Sequence, residues 1–397
     1  EIEEIHLSLV KALIPIQIQS GVLGGIKLII NELEEVLKGI FVLKENSSKS
    51  FDFVCGVGER LSSLIIYKYL NGLSQDVTLV DPTKIIICTN EFGTGNILIE
   101  TSKEKAQSYS PNLKKINICP GFIAGTLDGN FTTLGRGGSD TTAVALAYKL
   151  KAIRCDIYTD VEGVFTADPR IVNNAKKMDQ INFEEMLELS SLGAKVLHTR
   201  SVQIALKYNV KVQVLSSLKG KNGTMLINED RSLESQIIRG IAHNSNDALI
   251  TLIGVKNEPG ISALIFNALS KQSINVDMIV QSGSSLDKEV TFGFTINKAD
   301  VSKTKTIMQN LKEKLSIKKI IVNTSICKVS VVGLGMKTNA GIANKMFSEL
   351  AKNNINIHVI STSEIKISVL IDDKYKELAI RSLHHKFKLS SSRRKNV

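Results

Sequence analysis

Residues 131–150 read FTTLGRGGSDTTAVALAYKL. Within them Gly135, Arg136, Gly137, Gly138, Ser139 and Asp140 combine backbone freedom with a guanidinium, a hydroxyl and a carboxylate. Apolar residues at 143, 144, 146, 147 and 150 follow with helical spacing. A glycine turn feeding a helix start presents unbonded backbone N–H groups at the positive end of the helix dipole, which is an anion site. Arg136 adds a planar fork for a carboxylate or a phosphate. Asp140 suits an ammonium group. Together these residues make a cradle for a small zwitterion, a phosphate, or both. Taken by itself, such a run also reads as an ordinary turn before a helix.

Two further runs carry polar groups of the same kind. In YTDVEGVFTADPR (158–170) a short strand over 153–158 gives way to a loop at Thr159, with Asp160, Asp168 and Arg170 available to a polar ligand. Asp168-Pro169 is also plain turn chemistry. In GAKVLH (193–198), after an amphipathic helix spanning about Phe183–Leu192, Lys195 is a mobile point charge able to reach a phosphate. An isolated lysine is otherwise a solvated surface residue.

These runs need a frame, and the pattern around them supplies one. Short β-rich segments at 116–119, 154–158 and 211–215 alternate with helical segments at 141–151 and 202–208. That alternation predicts an α/β fold with a largely parallel sheet and helices on both faces. A break falls near Ile241–Asp247, and an internal repeat follows it. Ile250–Gly254 matches Val329–Gly333, 79 residues apart, and Gly260-Ile261 matches Gly341-Ile342, 81 residues apart. Asn275–Ile279 matches Asn356–Ile360. Each copy reads strand, glycine turn, amphipathic helix, strand, further strand. The glycine-preceded helix start at Glu258-Pro259-Gly260-Ile261 can hold an amino acid's carboxylate. VVGLGM (331–336) imitates a dinucleotide fingerprint, but Thr338 stands where the third glycine belongs, which argues against NAD.

Composition narrows the class. The 397 residues, 43% hydrophobic and 22% charged, suit a soluble chain of two to three domains. The net charge of +11 is spread without an aromatic-interleaved basic patch, so no nucleic-acid partner is expected, and Arg393-Arg394-Lys395 reads as a solvated end. Steering of anionic substrates is the simpler use of the excess. Cys55, Cys88, Cys119, Cys155 and Cys327 share no CxxC spacing, which fits reduced thiols in a cytoplasmic protein and no metal site. No signal peptide and no membrane-spanning run are visible.

TTLGRGGSDTTA, YTDVEGVFTADPR, FEEMLELSSLGAKVLH and VGERLSS (57–63) resemble the motifs of aspartokinases, of the amino-acid-kinase fold, in the family's order. VTLVDPTKIIICTN (77–90) resembles the kinase part of bifunctional aspartokinase/homoserine dehydrogenases, although no room remains for a dehydrogenase domain. The C-terminal repeat resembles tandem ACT domains. The resemblance implies an amino-acid-kinase-like sandwich with a mostly parallel central sheet (residues 1–240). Two ferredoxin-like ACT domains follow (241–324 and 325–397), with interleaving of the two allowed for.

The activity implied is ATP-dependent phosphorylation of L-aspartate, with Mg²⁺, to 4-phospho-L-aspartate. Carried over, Arg136 pairs the substrate α-carboxylate and Glu59 holds its amino group. Gly137, Gly138, Ser139 and Asp140 complete the substrate turn. Thr159, Asp160, Phe165, Arg170 and Lys195 face the nucleotide, with Phe165 standing where many members have tyrosine. Asn275, Asp277 and Gln281, with Ser361, Thr362 and Glu364, would bind lysine, threonine or both as inhibitors, and the ACT pair implies a homodimer or larger.

One departure is large. The family's opening Lys-Phe-Gly-Gly-Thr-Ser turn is not in these residues, and Gly24-Gly25-Ile26-Lys27 lacks its flanks. The resemblance therefore implies an N-terminally incomplete catalytic domain with weak turnover. Two alternatives stay open: another small-molecule kinase of the fold, acting on acetylglutamate for example, and a non-catalytic amino-acid sensor.

Overall fold

The computed structural model describes residues 1–109, 113–193, 196–219, 222–228, 237–283, 288–337, 339 and 341–390. In chain order its elements begin with α1 (Ile2–Leu13), α2 (Ile16–Leu43), α3 (Ser48–Gly72), β1 (Val77–Leu79), β2 (Ile87–Cys88) and α4 (Ile99–Tyr109). Next come β3 (Ile116–Ile118), β4 (Ile123–Thr126), β5 (Phe131–Thr133), α5 (Gly138–Lys149) and β6 (Cys155–Thr159). Then follow β7 (Gln180–Asn182), α6 (Phe183–Ser191), α7 (Thr199–Lys207), β8 (Val212–Ser216) and β9 (Thr224–Ile227). The last part holds β10 (Gly240–Asn244), β11 (Asp247–Lys256), α8 (Ile261–Ser270), β12 (Val276–Ser282), β13 (Glu289–Asn297) and α9 (Val301–Asn310). It ends with β14 (Lys319–Asn323), β15 (Ile326–Val332), α10 (Ile342–Lys352), β16 (Val359–Thr362), β17 (Lys366–Asp372) and α11 (Lys376–Lys386). The chain divides into two compact units, Glu1–Val161 with Val196–Ile227, and Glu162–Lys195 with Asn228–Val397.

In the first unit α2 buries Val22, Ile26, Ile30 and Leu33, one stripe at helical spacing, against Val57, Leu61 and Ile65 of α3. The opposite face of α3 carries Asp52, Gly56, Glu59 and Ser63, which recur at the same helical period. That face closes on β5: a Cβ built at Gly56 would stand 2.5 Å from the Phe131 ring. Among the described residues β1 pairs with β3, β2 with β4 and β6 with β8 in parallel. Antiparallel β5 joins β4, and β9 joins β8, so the strands form mixed sheets. Helix α5 begins at Gly138, three residues before the apolar spacing places it, so Ser139 and Asp140 belong to its first turn.

The second unit holds two four-stranded antiparallel sheets, ordered β12-β13-β11-β14 and β10-β15-β17-β16. The sequence break near 241–247 falls on β10 and its short connection to β11, and those two strands go to different sheets. Strand β10 precedes the first repeat yet pairs with β15 of the second, so the repeats are interleaved. One side of β15 packs Cys327, Val329 and Val331 under Met346 and Leu350 of α10 and Ile380 and Leu383 of α11. Ala167, Ile171 and Val172 enter that same core, so much of the run 162–172 is built into the second repeat. Helix α8 covers the other sheet through Ile261, Ile265 and Leu269.

Candidate functional site

The glycines of the 135–138 turn are forced by their surroundings. Gly135 (φ 69°) and Gly137 (φ 70°) sit in the left-handed region. A Cβ at Gly135 would lie 2.5 Å from the Gly93 carbonyl oxygen, and one at Gly137 would lie 2.1 Å from His198 Cγ. Gly137 is the N-cap of α5, and no side chain caps the helix. Gly138 N donates to Gly135 O at 3.0 Å, and the rest of the uncapped helix start lies beside the exposed Arg136 and Ser139. Asp140 Oδ2 accepts from the His198 backbone N–H at 3.3 Å. Burial raises the Asp140 carboxyl from its ordinary value, with the His198 N–H pulling the other way.

Three residues that the motif reading passes over hold this turn in place. Asp52 of α3 is fully buried, and its carboxylate accepts from Gly93 N (2.8 Å), Thr132 Oγ1 (2.8 Å), Thr133 N (3.0 Å) and Thr133 Oγ1 (2.9 Å). The ring of His198 packs against Gly137, and its Nδ1 accepts from Arg200 N at 3.4 Å, capping α7. Because that cap lies at 198, α7 starts at Thr199, earlier than the predicted 202. Burial first, then Arg200 and Arg136, depress the His198 pKa, which favours the neutral ring. Arg200 donates to Leu134 O (2.6 Å) and Gly95 O (2.8 Å). Their signal in sequence is weak because their partners lie far off along the chain.

Glu59 is half-buried on the α3 face that meets β5, and burial raises its carboxyl pKa. Thr159 and Asp160 stand where parallel β6 ends, beside Ser216 at the end of β8. Ligands collect at the carboxyl ends of such strands. Thr159 Oγ1 donates to Asp160 Oδ1 at 3.0 Å. Phe165 and Arg170 belong to the second unit. Arg170 pairs there with Asp168 at 2.7 Å, and this partner holds the Asp168 carboxyl below its usual range. Lys195 lies outside the described residues.

Among the effector candidates, Asp277 and Gln281 are exposed on β12, an outer strand of its sheet, and exposed Asn275 immediately precedes it. Ser361 and Thr362 lie on β16, the outer strand of the other sheet, and exposed Glu364 follows in the turn. Met278 and Val359 meet in one apolar cluster, which brings these two strands together. Asp277 is already engaged: buried Lys328 of β15 donates to it and lies 3.4 Å from Asp247 Oδ2. Helices α8 and α10 both start at a left-handed glycine, Gly260 (φ 93°) and Gly341 (φ 91°), with no side-chain cap. No described helix is long and apolar enough to cross a membrane.

An α/β unit with a glycine turn at a helix start, followed by two interleaved βα repeats, is an architecture shared with small-molecule kinases that carry regulatory modules. The chain matches the amino acid kinase family over residues 14–216 and the ACT domain over 250–310 and 329–387. It is 41% identical over 367 residues to an aspartate kinase of Pseudomonas fluorescens, covering 92% of this chain and 88% of that one. Its structure resembles Escherichia coli aspartokinase III in complex with aspartate and ADP (TM-score 0.76, 29% identity, 90% of this chain and 81% of that one). It also resembles the same enzyme in complex with lysine and aspartate (TM-score 0.70, 28% identity, 97% and 90%). The chain belongs to the aspartate kinase family.

Proposed function

We propose that the turn at 135–140 receives L-aspartate, with Arg136 on its α-carboxylate, Glu59 on its amino group, and Gly137, Gly138, Ser139 and Asp140 completing the cradle. The reaction moves the γ-phosphoryl group of ATP to the side-chain carboxylate and yields ADP and 4-phospho-L-aspartate, the entry step to the aspartate-family amino acids. The attacking carboxylate is ionised at neutral pH, so no general base is required. Catalysis then rests on positioning and on stabilising charge in transfer. Thr159 and Asp160 are the first unit's nucleotide candidates, and Phe165 and Arg170 the second's. Mg²⁺ fits as a companion of the ATP phosphates, keeping waters and neutralising phosphate charge. Among the described residues no cluster of three or more His, Cys, Asp or Glu would cage it by protein alone.

The observation that carries this reading is the helix start without a side-chain cap, its turn walled by Gly93 at Gly135 and by His198 at Gly137, with Arg136 exposed between the two glycines. The division into a kinase domain over 1–240 and ACT modules over 241–324 and 325–397 follows the same reading, with β10 contributed to the second module. The outer strands β12 and β16 are proposed to hold an amino-acid effector, lysine or threonine, and the ACT pair to support a homo-oligomer in the cytoplasm. Thermal-shift titration tests the assignment, since a ligand bound only by the folded state stabilises it with the logarithm of its concentration. The expected result is stabilisation by Mg-ATP together with L-aspartate, and little response to N-acetylglutamate. Stabilisation by lysine or threonine with no response to Mg-ATP and L-aspartate would support the sensor reading and contradict the kinase one.

A further inference from the structure

Arg200 stands in the first turn of α7, and its guanidinium spans two loops far from it in sequence. Nη1 donates to Leu134 O at 2.6 Å, just before the 135–138 turn. Nη2 donates to Gly95 O at 2.8 Å and to Asn96 Oδ1 at 3.4 Å. The two loops already touch, because the Gly135 backbone passes against the Gly93 carbonyl and Gly95 N donates to Thr133 O at 3.3 Å. A planar fork of five N–H donors can hold two carbonyls at fixed separation. A lysine ammonium at the same place is a hydrated point charge and holds one of them less rigidly.

We propose that Arg200 is a positioning residue for the amino-acid substrate: it sets the spacing between the 91–96 loop and the Arg136 turn. That spacing fixes the angle at which Arg136 and the first turn of α5 meet the substrate carboxylate. The inference deepens the aspartate reading and rests on it. Two features give Arg200 leverage beyond simple bracing. Its own backbone N–H is the one that His198 Nδ1 accepts, so guanidinium and cap share one residue. Its charge also opposes protonation of His198, whose ring walls the turn at Gly137 and whose backbone N–H holds Asp140.

The test is calorimetric titration of the full chain with L-aspartate and, separately, with Mg-ATP, for wild type, Arg200→Lys and Arg200→Met. The proposal expects L-aspartate affinity to fall about tenfold or more in both variants, since neither side chain can hold both carbonyls at the spacing the guanidinium fork sets. Mg-ATP affinity is expected to change less than about threefold, and the His198 ring titration followed by NMR to move upward in Arg200→Met. The lysine variant, which keeps charge and helix propensity, guards against a methionine variant that fails to fold. Wild-type aspartate affinity in Arg200→Lys would overturn the proposal. So would equal loss of both ligands with a lowered melting temperature, which marks general damage. Failure of the wild type itself to bind L-aspartate would instead overturn the substrate assignment beneath it.

Discussion

Buried polar groups at single positions decide much of this chain's behaviour. Asp52 meets four donors, so its carboxylate is fully used as an acceptor. Asp52→Asn would turn a donor of its own toward those donors, and a cost of about 2–3 kcal/mol is expected in denaturant unfolding. Lys149 is the reverse case: it is 3% exposed, and its Nζ has no hydrogen-bond partner. Burial drives its pKa down to about 8, with Glu100 opposing. The unfolded chain therefore binds more protons between pH 8 and the ordinary lysine range, so wild-type stability rises with pH across that window. Lys149→Met is expected to be more stable at pH 7 by on the order of 2–3 kcal/mol. That advantage should shrink through pH 8 to 10.5, as paired denaturant titrations at pH 7 and pH 10 would show. Neither residue is legible in the sequence, because an Asp or a Lys in a helical run signals nothing until tertiary partners are present or missing.

At the scale of elements, the turn and its helix are what the sequence states most clearly. Glycines at 135, 137 and 138 followed by apolar helical spacing leave few alternatives for the local backbone. What the spacing conceals is why each glycine is needed, since the walls at Gly93 and His198 come from elsewhere in the chain. Gly137→Ala would place a methyl inside the His198 ring and ask alanine for a left-handed backbone. We expect at least about 1–2 kcal/mol of destabilisation from the backbone alone, together with loss of L-aspartate binding. A melting curve and an aspartate titration of that variant check both parts. The run 158–170 shows the opposite limit. Its polar residues suggest a ligand loop, yet Ala167, Ile171 and Val172, at its end and just beyond, bury in the core of the second repeat. Those apolar residues were in view, but nothing in their spacing names the sheet they pack on.

At the scale of the whole molecule, the repeat is visible in the sequence as two copies, and the exchange between them is not. Strand β10 lies before the first copy and completes the sheet of the second, a pairing no local pattern encodes. Lys328 is the charged counterpart of that exchange. It is nearly buried on β15 of one sheet, with Asp247 of β11 and Asp277 of β12 on the other as its partners. Lys328→Met would leave Asp247 buried without its cation, and a loss of about 3 kcal/mol is expected in denaturant unfolding, recovered in part by adding Asp247→Asn. An unchanged midpoint for Lys328→Met would mean that the two sheets do not depend on this pairing.

The substrate assignment requires Arg136 and Glu59 to grip the α-carboxylate and the α-amino group of one small molecule. Calorimetric titration with L-aspartate, succinate and β-alanine tests that directly, since succinate lacks the amino group and β-alanine the α-carboxylate. Arg136→Ala should bind L-aspartate no better than β-alanine, and Glu59→Gln should bind L-aspartate no better than succinate. Each loss should be about tenfold or more relative to the wild-type chain. Wild-type preference for L-aspartate over both analogues persisting in either variant would contradict the account.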